Sequence, residues 1–412
     1  GEYPDEGMET FLGSFEYIQG VFDDQQGYER IKQALDEHDA SVGMCTSKLF
    51  YLAVAPVHYE IIFDNIAKVN LEQPCVVGDG WTRILVEKPF GNDLAQARHL
   101  DQKLSQLFHE EQIYRIDHYL EKGALQDILS FRFSNILFSE MWNRNYIEAV
   151  SIRMLETLDV STRGAFFESE GSLRDVGQNH MLQMLALIAM EHPESLTPDS
   201  IRSNRAAVFQ ALKVPGPIDL DSNIVRGQYN GYRNTSDVAE DSQIETYFAV
   251  RALIDTDRFR DVPFYLEHGK ALNQSLTEIV VRFRSSPHCV CSIQSPHDHP
   301  NLVHFTISPD QKITVRFWMR NPDTKFTIES DELMFDRSAA SYAHMHTMDA
   351  YQSVLFDALS GDQTLFVSNA EQEAAWNYIT AILLLWRDKA PLPYERGSNG
   401  PESELREKIQ KV

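Results

Sequence analysis

The sequence predicts an α/β segment built on a parallel sheet, followed by a larger α+β segment whose sheet is mainly antiparallel. Over roughly the first 120 residues, short apolar runs alternate with helical periodicity, the pattern of parallel strands joined by helices that pack on them. From about Ala149 that alternation stops, and after Pro215 the chain reads mainly as strands separated by turns. A length of 412 residues leaves room for two such domains.

In the first segment Leu49–Ala55, Ile84–Val86 and Ile113–Ile116 read as buried strands, with a helix over Leu94–Phe108. Each strand is followed by chemically unusual residues: Ala55-Pro56, then Glu87-Lys88-Pro89-Phe90-Gly91, then Asp117-His118-Tyr119. Open parallel sheets bind ligands beyond the carboxyl ends of their strands, so these segments are candidates for one cleft. The competing reading of each alone is a strand that a proline ends.

In the second segment a helix is predicted from Ser172 to Glu191, opening with a capping-box-like Ser172-Leu-Arg-Asp175 and running into the apolar Met181–Met190. Strands are predicted at Glu245–Ile254, Leu276–Phe283, Cys289–Ile293, Val303–Ile307 and Lys312–Phe317, and a helix at Ala370–Arg387.

Apolar residues at 43% and charged residues at 24% are ordinary for a globular chain. The net charge of −24 opposes binding to nucleic acid or an anionic membrane, so an anionic ligand needs a local basic pocket. No apolar run approaches the ~18 to 20 residues of a membrane span. Four cysteines are too few for a disulfide framework, and Cys289-Val-Cys291 has no matching pair for zinc. Structural thiols in a reducing cytoplasm, and no metal, are expected.

Two clusters carry candidate chemistry. Arg115-Ile-Asp-His-Tyr-Leu-Glu-Lys122 puts an acid, an imidazole, a phenol and an ammonium at one strand-to-helix junction, where His118, Tyr119 and Lys122 suit a dianionic phosphate. Arg174-Asp175-Val-Gly-Gln-Asn-His180 is a polar run on an otherwise apolar helix, as for a face turned to a cavity. Histidine is the side chain best matched to proton transfer near neutral pH, though His180 alone reads more readily as a hydrogen-bonded core histidine.

Val86-Glu-Lys-Pro-Phe-Gly91, Arg115-Ile-Asp-His-Tyr-Leu120 with Lys122, Trp142-Asn-Arg-Asn145, Arg174-Asp175 with Gln178-Asn-His180, Arg226-Gly-Gln-Tyr229, and Val262-Pro-Phe264 with Gly269-Lys-Ala-Leu272 together resemble the glucose-6-phosphate dehydrogenase family, in the family's order. The resemblance implies a partial Rossmann-type dinucleotide-binding domain over residues 1–117 and an α+β substrate-binding and dimerisation domain over 118–412. It implies oxidation of C1 of glucose 6-phosphate with hydride transfer to NADP, NAD being the other option, in a homodimer or homotetramer. It makes His180 the base and Asp117 its partner. His118, Tyr119 and Lys122 would hold the phosphate, and Glu156, Asp175 and Lys270 would contact sugar hydroxyls. Lys88 would sit between substrate and cofactor, with Ala55 and Pro56 on the cofactor side.

The sequence departs from the family in places. The family's glycine-rich turn, of the form G-A-S-G-D-L-A, has no counterpart in Gly1–Ser47, which implies that the given sequence starts after that unit. Glu121 stands where the family has glycine, Ser275 where it has a cation, and Ser308 where it has glutamine. Two further readings stay open on the residues alone: a sugar dehydrogenase of the Gfo/Idh/MocA class, and a cofactor-less sugar-phosphate-binding homologue.

Overall fold

The computed structural model describes residues 7–73, 80–288, 298–323, 327–336 and 349–412. The chain divides into two compact units, one of Gly1–Phe90 with Arg98–Tyr114, the other of Gly91–Ala97 with Arg115–Val412. The expected fold class holds: a small parallel-sheet unit and a larger unit with a mostly antiparallel sheet and helices.

In the first unit β1 (Lys48–Leu52) pairs in parallel with β2 (Thr82–Val86), and β3 (Ile113–Arg115) lies on the far side of β2. The intervening helices Tyr59–Lys68 and Leu94–Ser105 bury Ile62, Phe63, Ile66, Leu100 and Leu104 against Ile84 and Val86. Apolar residues three and four apart on each helix face the sheet, which is why the sequence alternates as it does. Strand β1 ends at Leu52, short of the expected Ala55, because Pro56 opens a 3₁₀ turn, Pro56–His58.

Among the described residues the second unit is organised on nine strands: β4 (Ile147–Leu155), β5 (Ile224–Tyr229), β6 (Tyr247–Ala252), β7 (Phe264–Gly269), β8 (Leu276–Phe283), β9 (Leu302–Ser308), β10 (Lys312–Arg320), β11 (Ile328–Asp336) and β12 (Leu392–Tyr394). Their order is β11-β10-β9-β8-β4-β7-β6-β5-β12. Neighbours run antiparallel except β4 with β7 and β5 with β12, which are parallel.

Side chains alternate across this sheet. Val150, Ile152, Met154, Phe248, Val250, Phe264 and Leu266 face the main core, while Ala149, Ala249, Tyr247 and Tyr265 face a tyrosine-rich cluster with Tyr229, Tyr232 and Tyr394. Helices Gly123–Phe133, Leu182–Ala189, Pro198–Gln210 and Asn369–Trp386 cover the main-core face. The expected strand at Cys289–Ile293, with Cys289 and Cys291, lies outside the described residues. The expectation of thiols is corrected at Cys45, which is disulfide-bonded. A bond of this kind needs its partner within about 7 Å between Cα atoms, a proximity that spacing along the chain does not reveal. Among the described residues no helix is long and apolar enough to cross a membrane.

One buried ion pair locks the covering helices together. Arg205, fully enclosed on Pro198–Gln210, donates through Nε to Glu371 Oε1 at 2.8 Å and through its other nitrogens to the carbonyls of Thr364 and Phe366. Glu371 also accepts from Gln183 and from the backbone and hydroxyl of Ser368, so both charges are well solvated by protein. Glu371→Ala strands the guanidinium without its counter-charge and is expected to cost roughly 3–5 kcal/mol of stability, measured as a lowered urea midpoint with unchanged slope.

Candidate active site

The turn after β3 and the segment carrying His180 meet in the second unit. His180 Nδ1 lies 2.5 Å from Asp117 Oδ1, and the two side chains are 3% and 1% exposed. Asp117 Oδ1 also accepts the Tyr119 backbone N–H at 3.0 Å, so one carboxylate both shapes the turn and engages the imidazole. Around His180 the rings are close: Tyr119 at 4.2 Å and His118 at 4.8 Å between centroids. Lys122 Nζ sits 4.0 Å over the Tyr119 ring. Burial lowers the Lys122 pKa, and an arriving phosphate would restore preference for the charged form.

The parallel pairing of β4 with β7 builds the other side. Leu155 is opposite Gly269, so the next residues, Glu156 and Lys270, emerge side by side at the carboxyl ends of both strands. Lys270 Nζ donates to Glu156 Oε2 at 2.8 Å. Burial pushes Glu156 up, but the charges of His268 and Lys270 more than reverse this and hold it below its ordinary value. Burial, assisted by the negative charges of Glu156, Asp117 and Asp175, pushes the Tyr119 phenol up to about 12, although Thr277 hydrogen-bonds it. The charges of Glu156, Asp117 and Asp175 all acting on Tyr119 tie the two halves into one site.

Asp175 and His180 are carried on one segment of unusual backbone form. The expected helix from Ser172 is instead a helix from Gly164–Ser172, interrupted at Gly171 with φ of 70°, then a π-helical segment Leu173–Met181 and an α-helix Leu182–Ala189. A π-helix hydrogen-bonds residues five apart and is wound more loosely than an α-helix, so positions 175 and 180 lie nearer one side than an α-helix would set them. The capping-box expectation is corrected, because the Ser172 side chain makes no cap and its N–H goes to the Glu245 carbonyl at 3.0 Å. Glu245 Oε1 accepts the Leu173 N–H at 3.0 Å and so caps the segment from another part of the chain. A Cβ at Gly171 would lie 2.6 Å from that same oxygen, so both the left-handed backbone and the close carboxylate demand glycine.

Sequence reasoning missed Glu245 and Thr277. Glu245 was visible only as one acid opening an apolar strand, and nothing marks Thr277, the first pair of β8 with Ser308 of β9. Ser275 hydrogen-bonds the N–H and hydroxyl of Thr157 at 3.0 and 2.9 Å, so it is used within the rim of β4 and β8.

Lys88, Ala55 and Pro56 belong to the first unit. Lys88 follows β2 and Ala55 follows β1, so the parallel pair presents both at the same carboxyl edge. Tyr51 and Tyr59 clamp Glu87, with hydroxyl contacts to its carboxylate and carbonyl at 2.7 Å each. This edge fits part of a nicotinamide dinucleotide, offering the Lys88 cation and two strand ends, and among the described residues no glycine-rich turn follows a strand in it. Among the described residues no His, Cys, Asp and Glu cluster is arranged to hold a metal ion.

Comparison with known proteins agrees with this architecture. Residues 2–127 match the family model described as glucose-6-phosphate dehydrogenase, NAD binding domain, and residues 129–411 match glucose-6-phosphate dehydrogenase, C-terminal domain. The chain belongs to the glucose-6-phosphate dehydrogenase family, whose members are nicotinamide-dependent oxidoreductases. It is 36% identical over 403 residues to the Mycobacterium bovis protein named glucose-6-phosphate 1-dehydrogenase 2, covering 95% of this chain and 77% of that one. It is 33% identical over 410 residues to glucose-6-phosphate 1-dehydrogenase of Bacillus subtilis, covering 97% and 83%. A solved structure of glucose-6-phosphate dehydrogenase in complex with its substrate glucose-6-phosphate superposes with a TM-score of 0.88 at 31% identity, over 99% of this chain and 84% of that one. The enzyme structure from Mycobacterium avium gives 0.82 at 31% identity, over 97% and 82%.

Loss of the cap should loosen the segment that carries His180. Glu245→Ala is expected to destabilise the fold by about 1–3 kcal/mol, because a buried N–H is left without an acceptor. Faster amide exchange confined to residues 171–175, measured by mass spectrometry, checks the location; exchange unchanged there would remove Glu245 from the capping role.

Proposed function

We propose that this chain oxidises the C1 hydroxyl of D-glucose 6-phosphate to 6-phosphogluconolactone with hydride transfer to NADP, the first step of the oxidative pentose phosphate pathway. The observation that carries the reading is the buried His180–Asp117 hydrogen bond beside a turn that offers Lys122, His118 and Tyr119.

With Nδ1 engaged by Asp117, Nε2 is the nitrogen of His180 that acts on the substrate. That nitrogen takes the C1 hydroxyl proton as the C1–H bonding pair departs as hydride. The Asp117 carboxylate then balances the imidazolium, as the acid of a hydrolase triad does for its histidine. Lys122, His118 and Tyr119 bind the 6-phosphate, and anchoring that remote group spends its binding energy on orienting C1. Glu156, Asp175 and Lys270 receive the sugar hydroxyls, the Lys270–Glu156 pair offering a donor and an acceptor side by side.

The nicotinamide ring, when bound, supplies the hydride acceptor. Lys88, Ala55 and Pro56 are the residues we assign to the cofactor edge, with NADP preferred to NAD. Residues 1–117 then act as the dinucleotide-binding domain and 118–412 as the substrate-binding and dimerisation domain. A homodimer or homotetramer is supported by exposed Phe317, Met319, Leu333 and Phe335 on one face of β10 and β11, at the end of the sheet. A cytoplasmic setting is supported by the Arabidopsis thaliana relative named glucose-6-phosphate 1-dehydrogenase 6, cytoplasmic, and opposed by the Cys45 disulfide.

Formation of NADPH from glucose 6-phosphate, followed by absorbance, tests the whole reading on this chain. His180→Asn should lower turnover by ~10² to 10⁴-fold while leaving sugar-phosphate binding largely intact; retention of most turnover would remove His180 as the base. Lys122→Ala should chiefly raise the KM for glucose 6-phosphate, by roughly 10-fold or more for a lost charge-assisted contact. An unchanged dependence on sugar-phosphate concentration would end the phosphate role.

A further inference from the structure

Glu121 lies inside the turn that offers His118, Tyr119 and Lys122. Its side chain is enclosed, at 8% exposure, and neither carboxyl oxygen makes a hydrogen bond of good geometry. An unsatisfied buried carboxylate is costly, so the neutral acid is favoured there.

The helix Ala350–Ser360 faces this turn at two points. The ring of Tyr351 stacks on that of His118 with centroids 6.4 Å apart and planes 11° apart. Further along the same helix, Asp357 acts on Glu121, as does Asp362 just beyond the helix end. Among the described residues these two are the charged groups that act on Glu121 from outside its turn, and within the turn its charged neighbour is Lys122. The Ser353 hydroxyl favours the ionised form and offsets them only in part. Burial first, then Asp357 and Asp362, push the Glu121 carboxyl up to about 7, and Asp357 is itself raised by burial and by Asp362.

We propose that Glu121 is a positioning residue for the phosphate-binding turn and that its proton sets how tightly the turn holds the sugar phosphate. Protonated, Glu121 lets the turn lie against Ala350–Ser360, which keeps His118 and Lys122 in place. Ionised, it is repelled by Asp357 and Asp362 and adds a negative charge beside the incoming dianion. The inference rests on the phosphate role assigned above to His118, Tyr119 and Lys122.

The sign follows from linkage. A carboxyl whose pKa is raised in the folded protein carries its proton below about 7 and loses it above, so affinity for the phosphate dianion falls as pH rises through that range. The substrate's own second ionisation, near pH 6, is complete before then and works in the opposite direction. By reciprocity, binding of the dianion above pH 7 favours reprotonation of Glu121, so binding takes up a proton.

Calorimetric titration of the full chain with glucose 6-phosphate at pH 6.5 and 8.5, in buffers of different ionisation enthalpy, reads both effects. Between those pH values the wild-type affinity should fall roughly fivefold more than that of Glu121→Gln, the scale of one charge acting on a dianion at about 8 Å in a watery site. Proton uptake at pH 7.5 should be larger in the wild type than in Glu121→Gln. Glu121→Gly should match Glu121→Gln, and Asp357→Asn should move the wild-type transition to lower pH. A pH profile and proton uptake shared by the wild type and either Glu121 variant would overturn the proposal while leaving the phosphate site standing. Absence of wild-type binding at both pH values would overturn the phosphate reading and this proposal with it.

Discussion

The hydrogen bond between Asp117 and His180 is the constraint around which the second unit arranges its chemistry. It joins side chains 63 residues apart, one in a turn after a strand and one on a π-helical segment, both almost out of water. A buried imidazole and carboxylate each need a partner, and here each is the other's. The consequences spread outwards. The same carboxylate oxygen shapes the turn through the Tyr119 N–H, and that turn delivers Lys122 and His118 to the same neighbourhood.

A chain with a net charge of −24 has to concentrate cations locally if it is to hold a phosphate. It does so by committing its acids to specific partners. Glu156 is paired with Lys270, Glu371 with Arg205, and Arg153 bridges Glu267 and Glu278. Glu121 differs from these, a buried acid acted on by two other acids, Asp357 and Asp362, and its carboxyl is pushed up to about 7.

Strand direction contributes as much as charge. Because β4 and β7 run parallel in an otherwise mostly antiparallel sheet, their carboxyl ends coincide and Glu156 meets Lys270. An antiparallel pairing would have put those residues at opposite ends of the sheet. Asp175 and His180 ride on a π-helical segment, and Glu245 holds the start of that segment from just ahead of β6.

Much of this was legible along the chain. Apolar alternation identified the parallel strands, β8 and β10 began where the pattern of strand-forming residues did, and local motifs singled out Asp117, His118, Tyr119, Lys122 and His180. Such features are readable because they depend on neighbours within one turn or one strand, where periodicity and residue type act directly. Strand order, the parallel β4–β7 pair, the π-helical widening, the Glu245 cap, the Cys45 disulfide and the acids around Glu121 were decided by tertiary structure alone. Each depends on groups distant in sequence being brought within a few ångströms, and the energies that select those meetings are burial and pairing, which no local pattern encodes.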